Sequence, residues 1–229
     1  MTNTVEQTIY LARHGTRVDH VNPEWRDTAA RPFDPPLAEQ GRDEAHRLAQ
    51  RLADELGQTH RVACVYASPF LRTVQTAHPI AEALDVPLRL DTGAGEWLHP
   101  DWFEGVPPLL PHVAVDEPFH RLDRAYQSPP MRYPDLWRDC CARAGEAAHR
   151  LAACGHDLVI IGHGASVKGM VAALRGLDPG DDSSPSPAAG LFKLVRHPAS
   201  THYRLELAAD TSHLLSEPAA GDPGKRQPG

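Results

Sequence analysis

Three short apolar runs constrain this chain more than any other feature: TIYLA at 8–12, VACVYA at 62–67 and LVIIG at 158–162. Each has the length of a strand, stops at polar residues, and is followed by a helical pattern. After the first run, apolar residues recur at Leu37, Ala45, Leu48, Ala49, Leu52 and Leu56, which predicts a helix over 37–56. After the second, Pro69 is placed to open a helix running to about 84, because proline suits a first helical turn. A broad apolar face predicts another helix over 134–154, and one more follows His163 through 174. Residues 87–90 read as a short third strand, and 192–195 with 203–207 as a closing hairpin. Strands and helices alternating in this way predict an α/β three-layer sandwich around a mainly parallel central sheet.

A length of 229 residues, 41% of them hydrophobic, suits one domain over 1–216 better than two. The stretch 96–132 follows neither period and is rich in Pro, Asp and aromatics. A loop of that length is usually functional, so it is expected to be an inserted cap over the site. The tail 217–229 is expected to be disordered. No apolar run reaches the ~18 residues of a membrane span, and the first residues lack the pattern of a signal peptide. A net charge of -7 counts against general nucleic-acid binding and against anionic membranes, while leaving room for a local cationic pocket. Cys64, Cys140, Cys141 and Cys154 have neither metal nor disulfide spacing, and Cys64 reads as a buried thiol. A reducing, cytoplasmic location is expected.

Ligand sites in open α/β sheets lie beyond the carboxyl ends of the strands. Here the first strand ends in Arg13-His14-Gly15-Thr16-Arg17, the second in Ser68-Pro69-Phe70-Leu71-Arg72, and the third apolar run in His163-Gly164. Three guanidiniums brought to one edge offer many fixed donors to an anion with several oxygens, and phosphate is the best match. Helices starting after Ser68 and Gly164 would add the partial positive charge of their N-termini. A histidine among arginines resists protonation, which leaves a ring nitrogen free as a nucleophile.

The segments LARHGTR, PPLAEQGRDEA, YASPFLRTVQTA and VIIGHGAS, in that order, resemble the histidine phosphatase superfamily, also called phosphoglycerate-mutase-like. The resemblance runs from about residue 9 to 207. The second arginine of RHGTRVD, the GEWL segment and the stretch around Tyr133-Pro134 and Trp137-Arg138-Asp139-Cys140 are similar to one branch. That branch holds the suppressor-of-T-cell-receptor-signalling phosphatases and ecdysteroid-phosphate phosphatase. The resemblance implies a catalytic set of His14, Glu96 and His163, with Arg13, Arg17 and Arg72 binding the phosphate. His14 would be the nucleophile, passing through a phosphohistidine. Glu96 would protonate the leaving oxygen and then activate water, with Asp101 or Glu104 as alternative acids. His163 would donate to charge developing in the transition state. No metal or other cofactor is implied, and a homodimer is compatible with the branch.

For Arg17, ion pairing with Asp19 is the competing reading. Trp97, Trp102 and Phe103 read equally as cleft lining or as cap packing. The acidic Asp116, Glu117 and Asp123 would repel highly anionic substrates if they face the site. The remaining histidines, such as His46 and His149, read as solvated or partly buried helix positions. A phosphoglycerate mutase is the nearest rival function, but the mutases carry RHGxSxWN where this chain has RHGTRVDH. A non-catalytic phospholigand-binding domain is the third reading. The expected partner is a small phosphorylated substrate, with neither nucleic acid nor membrane.

Overall fold

Along the first strand, β1 (Gln7–Arg13), side chains alternate between two separate apolar layers: Ile9 and Leu11 enter one, Tyr10 and Ala12 the other. That alternation is what a sheet covered on both faces requires. The structure is a computed structural model that describes residues 6–56, 61–109 and 119–215. After β1 come two one-turn helices, α1 (Val18–Val21) and α2 (Trp25–Thr28), then α3 (Glu39–Leu56), β2 (Val62–Ala67), α4 (Leu71–Ala83) and β3 (Leu88–Leu90). The second half contributes α5 (Trp137–Ala152), β4 (Asp157–Gly162), α6 (Gly164–Leu174), β5 (Leu191–Arg196) and β6 (Arg204–Asp210).

The sheet order is β3-β2-β4-β1-β5-β6. The first four strands are mutually parallel, and β5 and β6 add an antiparallel hairpin at one edge. Helices α3 and α4 pack on one face through Leu48, Leu52, Val74 and Ile80. Helices α5 and α6 cover the other through Ala144, Ala148, Val167 and Met170. The result is the three-layer, mostly parallel α/β sandwich expected. Cys64 is buried, and none of the four cysteines is bridged.

Element boundaries differ from the periodicity where backbone groups are taken by other partners. Helix α3 starts at Glu39 rather than Leu37, because the Leu37 N–H donates to Gln75 Oε1 and Leu37 bridges Arg17. Helix α4 starts at Leu71, not Pro69. Its first N–H donates to Asp34 Oδ1 at 2.8 Å, so a carboxylate from a distant segment caps the helix. Helix α5 is shorter at both ends than the apolar face suggested.

The described parts of 96–132 run two ways. Residues 97–103 lie beside the carboxyl ends of the parallel strands. Residues 119–123 return to the outer edge of β3, where Leu122 bridges Leu88 and the Leu88 N–H donates to Arg121 O at 2.8 Å. Pro111, Asp116, Glu117 and the tail 217–229 lie outside the described residues.

Candidate active site

Beyond the carboxyl ends of β1, β2 and β4 lies a cleft of about 520 Å³, lined among others by Arg13, Arg17, Arg72 and Glu96. The motifs explain how it is built. Gly15 allows β1 to run directly against α3: a Cβ there would sit 2.5 Å from Gly41 O, and one on Gly41 would sit 2.1 Å from Thr16 O. Both glycines are therefore demanded by backbone contact. Glu44 of α3 accepts from the Thr16 N–H (2.7 Å) and hydroxyl (2.8 Å), fixing the turn that follows His14. The His14 N–H donates to Gly162 O, so the two histidine-bearing strand ends are held side by side.

His14 is buried, and its Nδ1 is 2.7 Å from Gly15 O. A carbonyl only accepts, so Nδ1 carries the proton and Nε2 keeps its lone pair. Burial, with Arg72, His163 and Arg13 nearby, holds the His14 pKa well below its ordinary value. The ring meets His163 edge-on at 5.2 Å between centroids. His163 is fully buried, contacts Ser68 Oγ through Nε2 at 2.8 Å, and is lowered to about 4 by burial despite the neighbouring Glu96. Ser166 Oγ accepts the His163 N–H and donates to Ala94 O, tying the start of α6 to the segment that carries Glu96.

Arg72 lies under this pair, 1% exposed, its guanidinium 4.5 Å over the Phe70 ring. Its Nη2 donates to Glu96 Oε2 at 2.9 Å and is 3.2 Å from His163 Nδ1, whereas Nε and Nη1 have no hydrogen-bond partner. Arg13 donates to Ser186 O at 2.7 Å and likewise leaves Nε without one. Buried N–H donors without acceptors mark the place where an anion would complete the set. Burial alone would raise the Glu96 pKa, but His163 and Arg72 outweigh it and hold the carboxyl well below its ordinary value.

His14, His163, Glu96 and Arg72 thus meet in one cluster, and Arg13 joins them at the cleft. Arg17 lines the same cleft while gripping Asp19 with Nε (2.8 Å) and Nη2, so the ion pair is present as well. Asp19 is lowered to about 2 by that pairing, against the effect of burial. Trp97, Trp102 and Phe103 line the cleft, and Asp123 pairs with Arg89 at the far edge of the sheet. Asp101 is exposed, 3.6 Å from His99, and does not line the cleft. Nor does Glu104.

Sequence reading missed Asp34, Arg26, Phe33, Lys168 and Ser186. Lys168 was the findable one, one turn into a helix that starts at a histidine-bearing strand end. Ser186 contributes a backbone carbonyl, which no side-chain pattern announces.

His14, Glu96 and His163 also place possible metal-ligand atoms within 4.8 Å of one another. The Arg72 guanidinium already touches two of those atoms, so a cation there would face a fixed positive charge. The cluster suits an anion.

Residues 9–205 match the histidine phosphatase superfamily (branch 1). The chain belongs to this superfamily. The family resemblance carried by the four motifs therefore holds. The fold is also that of solved phosphatase structures. Ecdysone phosphate phosphatase from Bombyx mori, in complex with tungstate, is 20% identical with a TM-score of 0.65, covering 87% of this chain and 91% of that one. A phosphoserine phosphatase from Entamoeba histolytica is also 20% identical, with a TM-score of 0.61, covering 91% and 100%. A curated relative, the transcription factor tau 55 kDa subunit of Saccharomyces cerevisiae, is 39% identical over 104 residues. That match spans 42% of this chain and only 22% of the yeast protein. Among the described residues no helix is long and apolar enough to cross a membrane.

Proposed function

We propose that this histidine phosphatase superfamily member is a metal-independent phosphomonoester hydrolase that works through a phosphohistidine on His14. Superfamily membership and phosphatase neighbours support phosphoester hydrolysis in general. The observation that carries the specific mechanism is the His14 Nδ1–Gly15 O bond at 2.7 Å, which fixes the tautomer with Nε2 unprotonated among buried arginines.

In the proposed cycle, the phosphoryl oxygens take the free N–H groups of Arg72 and Arg13 and draw Arg72 away from Glu96. Arg17 joins as its grip on Asp19 loosens. Loss of its cationic partner lets Glu96 rise toward a proton-holding acid. Nε2 of His14 attacks phosphorus, the P–O bond to the alcohol breaks, and Glu96 gives its proton to the leaving oxygen. His163 donates to the equatorial oxygen that gains charge. Glu96, now a carboxylate, takes a proton from water as it attacks phosphorus, the N–P bond breaks, and phosphate leaves. The cycle needs no metal.

The cations at the rim are engaged with carboxylates: Arg17 and Arg26 share Asp19, and Lys168 pairs with Asp182. The remaining wall is aromatic, with Phe33, Trp97, Trp102, Phe103 and Trp137. This wall supports a small-molecule phosphate ester as substrate, with residues 96–103 of the 96–132 insertion acting as a cap on one domain over 1–216. We read the protein as cytoplasmic, with no nucleic-acid or membrane partner and a homodimer compatible with the fold.

The test is hydrolysis of p-nitrophenyl phosphate beside isomerisation of 3-phosphoglycerate on one preparation. Hydrolysis alone is expected, with an acid-labile phosphoenzyme. His14→Ala should lower turnover by about 10⁴-fold or more and keep a native circular-dichroism spectrum. Turnover retained by the folded variant would remove His14 as nucleophile. The yeast relative is named as a transcription factor subunit, which supports a second reading as a phospholigand-binding domain. Tight orthovanadate binding without any turnover would favour that reading.

A further inference from the structure

On the outer edge of the sheet, away from the cleft, His78 and Glu82 stand four residues apart on α4, and His120 faces them from the returning segment 119–123. Glu82 Oε1 lies 3.7 Å from His78 Nε2 and 3.4 Å from His120 Nε2, and the ligand atoms of all three residues fall within 4.8 Å of one another. Tetrahedral zinc with bonds near 2.0–2.1 Å separates its donors by about 3.3 Å. The three side chains therefore need only small rotations to close on one ion. We infer that His78, Glu82 and His120 form a binding site for a divalent transition metal of the zinc type, clasping segment 119–123 to α4.

The backbone under each ligand is fixed, which distinguishes this trio from scattered surface histidines. His78 and Glu82 share one helix face by their i, i+4 spacing. The His78 ring is held by Phe119 at 5.2 Å and by His120 at 4.9 Å, both edge-on. Phe119 is itself buried in the core. On the other side of His120, Arg121 O accepts from the Leu88 N–H, and Arg121 pairs with Asp85 at 2.7 Å. Asp123 donates its N–H to Leu88 O and pairs with Arg89. Ligands on anchored backbone lose little freedom on binding. Two imidazoles and one carboxylate select zinc, cobalt, nickel or copper over magnesium and calcium, which prefer all-oxygen sites. The partial exposure of Glu82 and His120 leaves a coordination position for water. None of the three lines the catalytic cleft, so the site crosslinks the fold and takes no part in the proposed hydrolysis.

The experiment is titration of the metal-free full chain with Zn²⁺ against a chromophoric chelator, with a thermal melt on each sample. One equivalent should bind, and Tm should rise by about 5–10 °C at a hundredfold excess of zinc over Kd. The variants His120→Ala and Glu82→Gln, both at exposed positions, should each weaken that equivalent at least tenfold and abolish the Tm rise. His14→Ala should keep it. Mg²⁺ at the same concentrations should give neither signal. Zinc binding of equal strength in wild type and His120→Ala, or an equivalent lost in His14→Ala, would overturn the assignment. The second of those outcomes would place the ion in the catalytic cleft.

Discussion

Among the described residues, one cleft of about 520 Å³ and another of about 550 Å³ are nearly equal in size, and both contain arginines. In the second, Arg143 and Arg150 are engaged. Arg150 holds both oxygens of buried Asp91 at 2.9 Å. Arg143 donates to Thr92 O, Gly93 O, Glu96 O and Asp135 Oδ2. In the first, Arg72 leaves two buried nitrogens and Arg13 one without an acceptor. Arg143 shares this feature at Nε alone, but its charge is already matched by Asp135 at 2.6 Å. Size and residue type fail to separate the two clefts. The unanswered donors do.

Paired substitutions put that contrast at risk. Arg72→Ala is expected to lower kcat/KM for p-nitrophenyl phosphate by about 10³-fold or more and to abolish orthovanadate binding, because several transition-state donors go at once. Arg150→Ala should leave kcat/KM within about tenfold and show itself in the melt. Buried Asp91 would lose its cation and keep only the Tyr126 hydroxyl and the Gly93 N–H, a destabilisation of about 1–3 kcal/mol. Equal catalytic losses in the two variants would mean the second cleft also takes part in turnover.

The contrast was half legible in the sequence. Polar residues at the ends of apolar runs have a strong signature, and they located His14, Arg72 and His163 at one edge of the sheet. Arg17 shows the limit of that signature: its neighbour Asp19 was visible two residues on, but only the fold shows Arg17 lining the cleft while it pairs with Asp19. Helices α1 and α2 escaped because four residues carry no period. The work of Arg143 escaped because it is done on backbone carbonyls, and that of Asp34 because it caps a helix 37 residues further on. His120 lies in an aperiodic stretch whose pairing with β3 depends on tertiary contacts alone. Residues whose partners are main chain, or lie far along it, leave no local pattern to read.

Glu96→Gln sharpens the first cleft. A poor leaving alkoxide needs a proton in the transition state, whereas p-nitrophenolate leaves well without one. The loss should be about 10²–10³-fold with alkyl phosphates and much smaller with p-nitrophenyl phosphate, provided phosphoenzyme formation limits the rate. Equal losses with both would remove the acid role from Glu96.

Acid pH probes the same cluster through stability. His163 falls to about 4 in the fold and His14 also lies well below its ordinary value of 6.5. Between about pH 6.5 and 4 the unfolded chain therefore binds protons that the folded chain refuses, so stability falls as pH falls. Each such histidine contributes a slope of roughly 1.4 kcal/mol per pH unit inside its window. Urea melts from pH 7 to 4.5 should show this loss, and His163→Gln should flatten it. A slope unchanged by that substitution would mean His163 titrates normally in the folded protein.

The smallest effect concerns the joint between the clefts. Arg143 reaches from the second cleft to the carbonyl of Glu96 at 3.1 Å, while the same nitrogen holds Asp135. It touches neither His14 nor the open donors of Arg72, so any influence on turnover must pass through the position of Glu96. Arg143→Lys keeps a cation for Asp135 but cannot reproduce a planar fork that serves five acceptors, Cys140 Sγ among them. The Glu96 carboxyl should then wander by a fraction of an ångström, costing about tenfold in kcat with alkyl phosphates and less with p-nitrophenyl phosphate. A double-mutant cycle decides whether the path is the one described. If Arg143 acts only by placing Glu96, the Arg143→Lys, Glu96→Gln pair should be no slower than Glu96→Gln alone, because a carboxyl that no longer supplies a proton gains nothing from being placed. Losses that simply multiply would show Arg143 acting on the cleft by another route, and the boundary between engaged and open arginines would have to be redrawn.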